Sequence, residues 1–139
     1  MQEDTKIANF DKLLIASAQK ISLTNDNYRK EIWTGQHLQM TVMSIPAGGE
    51  IGFEIHSDTD QALYVEYGFA AVYAGETKQA VRLIGTVRPD YVILIPSGTW
   101  HNVINVGNTP LKLISFYAPP HHPKGTLHET KLDSDLSDY

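Results

Sequence analysis

For most of its length the chain alternates short apolar runs with Gly-, Pro- and Asn-rich breaks, and only its first segment departs from that rhythm. Over 10–21, Phe10, Leu13, Leu14, Ala18 and Ile21 recur at a helical period behind Asn9, which is placed to cap, so the pattern predicts a helix there. Thr24 to Tyr28 is a polar connector. Runs at 30–34, 37–45, 51–56, 61–67, 69–74, 78–87, 91–95, 100–106 and 111–117 then read as strands. Gly35-Gln36, Ala47-Gly48-Gly49, Gly75-Glu76 and Gly107-Asn108 mark breaks between them. So many short strands with this punctuation predict an all-β sandwich or barrel. In 111–117, Leu111, Leu113 and Tyr117 face one way, and Ile114 and Phe116 the other. With both faces apolar, one is expected to line the barrel and the other to meet a partner or the helix. Met40, Met43, Phe53, Tyr64, Tyr73 and Trp100 are expected in the core or at its rim, some of them lining a cavity.

The sequence changes character after Tyr117. Ala118-Pro119-Pro120-His121-His122-Pro123 is extended, because a residue before proline is steered out of helix. An acidic end follows with Asp133, Asp135 and Asp138, and the last eight residues are expected to lack fixed structure. The histidines of this arm, His121, His122 and His128, form either a lid over the barrel mouth or an exposed or interface-packed arm. His37, ahead of an apolar strand, reads as a surface or structural residue. The expected organisation is a helix and connector over 1–29, a barrel over 30–117 and a Pro/His-rich arm with an acidic tail over 118–139.

Composition narrows the classes of function. The chain has 139 residues, 42% of them hydrophobic, which suits one domain with a sizeable core. A formal charge of −5 argues against non-specific binding to nucleic acid or anionic membranes, which want a basic field. There are no cysteines, so disulfide and thiolate chemistry are excluded. No apolar run approaches membrane-spanning length, and the charged start Met1-Gln2-Glu3-Asp4-Thr5-Lys6 is unlike a secretory signal. A soluble, cytoplasmic protein with a small-molecule ligand is expected. The surplus of apolar strand faces further predicts a homodimer that covers an exposed edge.

Two stretches carry the chemistry: Gly48-x5-Glu54-Ile55-His56-x4-Gln61-x6-Gly68 and Pro96-Ser97-Gly98-Thr99-Trp100-His101-x3-Asn105. Glu54 and His56, two apart, leave the same face if they lie on a strand. The turn signal Ser57-Asp58-Thr59-Asp60 brings Gln61 back onto a neighbouring strand, and His101 opens another. Glu54, His56, Gln61 and His101 are therefore candidates to hold one divalent ion inside the barrel. Two histidines and one carboxylate suit Fe(II), Mn(II), Ni(II), Co(II) or Zn(II), and the amide oxygen is the weakest donor of the set. Asp60 is a rival to Gln61, but the six-residue gap to Gly68 favours Gln61. The same polar residues also fit an internal hydrogen-bonded network that holds no metal.

These spacings resemble the cupin superfamily, whose motifs read G-x5-H-x-H-x3,4-E-x6-G and G-x5-P-x-G-x2-H-x3-N. Gly48, His56, Gly68, Pro96, Gly98, His101 and Asn105 match, while Glu54, Gln61 and Asp90 stand where the family has histidine, glutamate and glycine. The resemblance covers 48–105 by motif and implies a double-stranded β-helix, or jelly-roll, barrel. It also implies one of three functions. The first is a metal-dependent enzyme acting on a small oxygenated substrate. Here the ligand types are similar to those of zinc-type phosphomannose isomerases, which implies a sugar isomerase, although Arg29, Lys30, Arg82, Arg88 and Lys124 are scattered and form no evident phosphate clamp. The second is an Fe- or Mn-dependent dioxygenase. The third is a non-catalytic module that binds a sugar or another small ligand.

Overall fold

Inward-facing positions alternate along three adjacent strands, and this alternation builds the barrel. A computed structural model describes residues 6–10 and 12–137. The elements are β1 (Lys6–Phe10), β2 (Leu13–Ala16), α1 (Ala18–Leu23), β3 (Arg29–Thr34), β4 (Gln39–Ile45), β5 (Asp60–Tyr67) and β6 (Ala70–Gly75). After a 3-10 turn at Lys78–Ala80 come β7 (Arg82–Val87), β8 (Val92–Ile95), β9 (Trp100–Asn105), β10 (Leu111–Ala118), β11 (Leu127–His128) and α2 (Lys131–Asp135). A six-stranded sheet runs β11-β3-β4-β10-β5-β8, and a three-stranded sheet runs β7-β6-β9. All pairings are antiparallel.

The core lies between the sheets. Met43 and Ile45 of β4, Leu63 and Val65 of β5, Leu111 and Leu113 of β10 and Val103 of β9 form one buried cluster with Tyr28, Ile51, Ala70 and Ile95. The opposite face of β10 and β4 carries Ile114 and Val42, which pack with Ile21 of α1. The two apolar faces expected of 111–117 are both present, and the helix meets the outer one.

Along the same inward rows the side chains turn polar at one end. In β4 the row ends in Thr41 and Gln39, in β10 in Ser115 and Tyr117, and in β5 in Gln61, and all five are buried. Pairing places Tyr117 between Gln39 and Gln61, and Ser115 beside Thr41. Buried polar groups need partners, so this polar end of the barrel is the candidate site.

Three expectations are corrected. The helix predicted over 10–21 is instead a hairpin, β1 paired with β2, followed by a helix starting at Ala18. Leu13-Leu14-Ile15-Ala16 alternates as readily as it follows a helical period, and the effective cap is Ser17, whose Oγ accepts from the Lys20 amide. The strand expected over 51–56 is reduced to single bridges at Glu50 and Glu54, because Gly52 adopts φ +102° and breaks the ladder. The unstructured end expected over the last eight residues contains most of α2. Thr130 and Asp133 cap it reciprocally, a start signal that was legible in the sequence.

The asparagine that ends the second motif is a structural clasp. Asn105 Nδ2 donates to the carbonyls of Ile45 and Thr109, both at 2.9 Å, and its Oδ1 accepts from the Gly107 amide at 2.9 Å. Asn105→Ala should therefore cost about 2–4 kcal/mol, because buried backbone groups lose their partners. Urea unfolding followed by tryptophan fluorescence reads this directly. A loss under about 0.5 kcal/mol, the range of ordinary surface substitutions, would show that water replaces the amide without penalty.

Candidate metal centre

Glu54 and His101 face each other across an isolated bridge with reciprocal backbone hydrogen bonds, each amide 3.0 Å from the other's carbonyl oxygen. The Gly98 amide donates to the His56 carbonyl at 2.8 Å, so the Pro96-Ser97-Gly98 turn holds the second histidine in place. Asp60 is exposed, and its Oδ1 accepts from the Ser97 amide at 2.9 Å. The Gly52 amide donates to Asn102 Oδ1 at 2.8 Å, and Asn102 Nδ2 donates to Glu50 at 2.7 Å. The segment is thus stitched to β9 although it is not a strand. Asp90, at the family's glycine position, adopts φ 79°, a left-handed conformation that Asp tolerates better than most side chains.

Glu54, His56 and His101 offer ligand atoms that all lie within 4.8 Å of one another. Glu54 Oε1 is 3.2 Å from His56 Nε2 and 3.3 Å from His101 Nε2. His101 is 1% exposed, and its Nδ1 lies 2.9 Å from the Thr99 carbonyl, to which it can only donate. That contact leaves Nε2 as the ring atom that faces the Glu54 carboxylate, where a proton or a divalent cation would sit between them. His101 Nε2 has no hydrogen-bond partner of proper geometry. Burial alone would raise the Glu54 carboxyl, but His101 and His56 outweigh it and hold the acid well below the usual carboxylate range.

Gln61 is 3% exposed, and its Nε2 donates to Ser115 Oγ at 2.9 Å. Its Oε1 is buried without a partner. The amide is thus oriented by Ser115, with its oxygen the atom free to act as a weak neutral donor.

The C-terminal arm returns to this end of the barrel. The His121 ring lies 4.3 Å from the His56 ring and 5.5 Å from that of Tyr117, centroid to centroid. His122 Nε2 is 3.3 Å from the Tyr117 hydroxyl, and the rings of His122 and His128 are 6.4 Å apart. Burial pushes His122 down to about 2, so it is held neutral, and burial also lowers His121 and His128. His37 is exposed.

Two residues of this region escaped the motif reading. Gln39 clamps the arm: its Oε1 accepts from the amides of His121 and His122 at 3.1 and 2.9 Å, and its Nε2 donates to the His122 carbonyl at 2.6 Å. A glutamine in register with Thr41, Met43 and Ile45 on an inward row was the available signal. Arg29 is 3% exposed and lines the cavity beside Glu54, where its Nη1 donates to Ser134 Oγ of α2 at 2.8 Å. Nothing in its sequence neighbourhood distinguishes it from the other arginines.

The uncharacterized protein YrkC of Bacillus subtilis (strain 168) is 47% identical over 123 residues, or 88% of this chain and 66% of that protein. The chain thus spans about two thirds of that relative's length. An uncharacterized protein of Acanthamoeba polyphaga mimivirus is 36% identical over 122 residues, 87% of this chain and 74% of its own. The crystal structure of BH2720 from Bacillus halodurans has a TM-score of 0.84 at 47% identity, covering 88% of this chain and 93% of its own. Oxalate decarboxylase from Lactobacillus farciminis, 22% identical with a TM-score of 0.56 over 63% of this chain and 25% of its own, shares the fold alone. Residues 41–117 match the Cupin domain family, over the same span in which the strands enclose the Glu54, His56 and His101 cluster, and the chain belongs to the cupins.

Proposed function

We propose that this cupin is a divalent-metal-dependent enzyme acting on a small oxygenated substrate. In this reading Glu54, His56 and His101 hold the ion and Gln61 Oε1 completes the set. The observation that carries it is Glu54 Oε1 within 3.3 Å of both imidazole Nε2 atoms, in a mouth where Gln61 Oε1 has no protein partner. A bound ion supplies Lewis acidity toward a carbonyl or hydroxyl oxygen. His121 is the lid residue, held over His56 by the Gln39 clamp, with His122 and His128 packed behind it.

The reaction we favour is isomerisation of a hydroxy-carbonyl compound such as a sugar, because the four ligand types are similar to those of zinc-type phosphomannose isomerases. His121 then takes a proton from the carbon that bears the hydroxyl and returns it to the neighbouring carbonyl carbon, while the hydroxyl proton passes to the carbonyl oxygen. The shift is internally balanced and needs no oxidant.

The test is elemental analysis of the purified protein, followed by a panel of aldoses and ketoses in heavy water under nitrogen. Deuterium on the carbon next to the carbonyl supports the isomerase. Two histidines with one carboxylate also suit non-haem iron, so turnover that requires Fe(II) and dioxygen would move the assignment to a dioxygenase. Tight binding without turnover would make the chain a ligand-binding module.

The expected homodimer has a candidate surface. Val92 and Leu94 of the edge strand β8 are 59% and 72% exposed, and a second copy would cover them. Light scattering at micromolar concentration should give twice the chain mass, and Leu94→Lys should halve it. A monomer in the unmodified protein would remove this surface as an interface. Among the described residues no helix is long and apolar enough to cross a membrane.

A further inference from the structure

A cavity of about 510 Å³ opens between the barrel mouth and α2, lined by Tyr28, Arg29, Glu54, His121, Lys131 and Asp135 among others. Its charged lining is formally balanced, Arg29 and Lys131 against Glu54 and Asp135, but only one of the two cations is paired. Lys131 is neutralised by Asp135, four residues on, at 3.0 Å. Arg29 is buried, yet among the described residues no carboxylate lies within ion-pair distance of it. Its contacts are neutral: Ser134 Oγ at 2.8 Å, His128 Nδ1 at 3.3 Å, the Tyr117 hydroxyl and the Tyr28 ring at 5.2 Å. Its Nε has no partner at all. A buried cation is costly unless it is paired, and a guanidinium is shaped to accept a carboxylate in two-point fashion.

The wall opposite carries Glu54. With a divalent ion on Glu54 and the histidines neutral, the cavity holds a surplus of positive charge to which Arg29 contributes. Such a cavity favours an anion that also offers an oxygen to the ion.

We propose that Arg29 is the carboxylate-binding residue of this site and that the substrate is a small organic acid with a second oxygen function. This rests on the metal-centre reading for the second oxygen and for the surplus charge, while the carboxylate contact itself belongs to Arg29. The proposal narrows the oxygenated substrate to hydroxy or oxo acids, so that within the isomerase reading a sugar acid is favoured over a neutral sugar.

The probes are lactate and 4-hydroxybutyrate, which differ in the spacing between carboxylate and hydroxyl, with lactamide as the uncharged counterpart. Calorimetric titration of the metal-loaded chain should detect at least one of the acids and no lactamide. Arg29→Gln should weaken the acid by about tenfold to a hundredfold, the range for loss of a charge-assisted pair. Because Arg29 also holds α2 through Ser134, that variant loses a structural contact as well, so the wild-type chain carries an independent readout. In chelator-treated protein, the Arg29 side-chain N–H resonances should shift when lactate or 4-hydroxybutyrate is added, and stay in place with lactamide.

The outcomes separate the two readings. Acid-dependent shifts in a chain that takes up no divalent ion when one is added back would sustain Arg29 and defeat the metal centre. Equal binding of lactate and lactamide, undiminished binding by folded Arg29→Gln, or Arg29 resonances unmoved by either acid would overturn the carboxylate site.

Discussion

His101→Ala should purify with almost no bound metal, where the unmodified chain carries about one divalent ion per molecule. The expectation follows from the placement of His101. Its ring is almost fully buried, its Nδ1 is committed to the Thr99 carbonyl, and its Nε2 has nowhere to point except the Glu54 carboxylate. Removing it leaves one histidine and one carboxylate, too few to retain an ion through purification. Glu54→Gln should have the same effect while keeping side-chain volume, which separates loss of a ligand from loss of packing. Gln61→Ala should weaken binding far less, by about tenfold, since it deletes a neutral donor or its orienting partner. Gln61→Glu should retain the ion or tighten it. Plasma emission spectroscopy on the set gives the stoichiometries. Unchanged metal content in His101→Ala would return the cluster to a hydrogen-bonded network.

Acidification should destabilise the protein in two separable steps. The first needs no metal. His122 has its folded-state value pushed from 6.5 down to about 2 by burial, so only the unfolded chain takes up the proton as pH falls. Stability is therefore fully present above about pH 6.5 and is lost below it, by about 1.4 kcal/mol at one unit below the unfolded value. For a chain of this size that corresponds to a fall of about 4 °C in melting temperature. Glu54, held low in the folded state, adds a second loss only below the ordinary carboxylate range near 4.5.

The second step appears only with metal. His56 and His101 must be neutral to coordinate, so protons compete with the ion, and the stabilisation it confers on the folded state shrinks over the same acid range. Melting curves at about pH 8 and about pH 5.5, with metal and with chelator, distinguish the two, since these pH values bracket the ordinary imidazole value. The chelated protein should show the smaller fall, and the metal-dependent increment should itself be smaller in acid. An increment equal at both pH values would remove the two histidines from the ion.

Much of this molecule is legible from local pattern. The strands that became β3 to β10 were marked by alternation and by Gly, Pro and Asn breaks, which act within a few residues and need no distant partner. The motif spacings singled out Glu54, His56, Gln61 and His101, and the structure brings the first two and His101 together, because glycine and proline turns at fixed intervals return the chain to the same end of the barrel. Other features depended on which segments became neighbours. Leu13-Leu14-Ile15-Ala16 suits a helix or a strand, and only pairing with Lys6–Phe10 decides for the strand. Glu54 meets His101 through an isolated bridge, since Gly52 interrupts the strand that the apolar run suggested. The arm carrying His121 and His122 reaches the mouth because Gln39, more than eighty positions away, supplies its backbone with partners. Arg29 and Ser134 are a further such pair, 105 positions apart, and their contact sets an arginine against the wall of the cavity. Sequence by itself determined the barrel and its candidate ion ligands, because periodicity and turn chemistry are local. Tertiary structure decided where the histidine arm and Arg29 lie, because a buried polar group is satisfied by whichever distant segment can reach it.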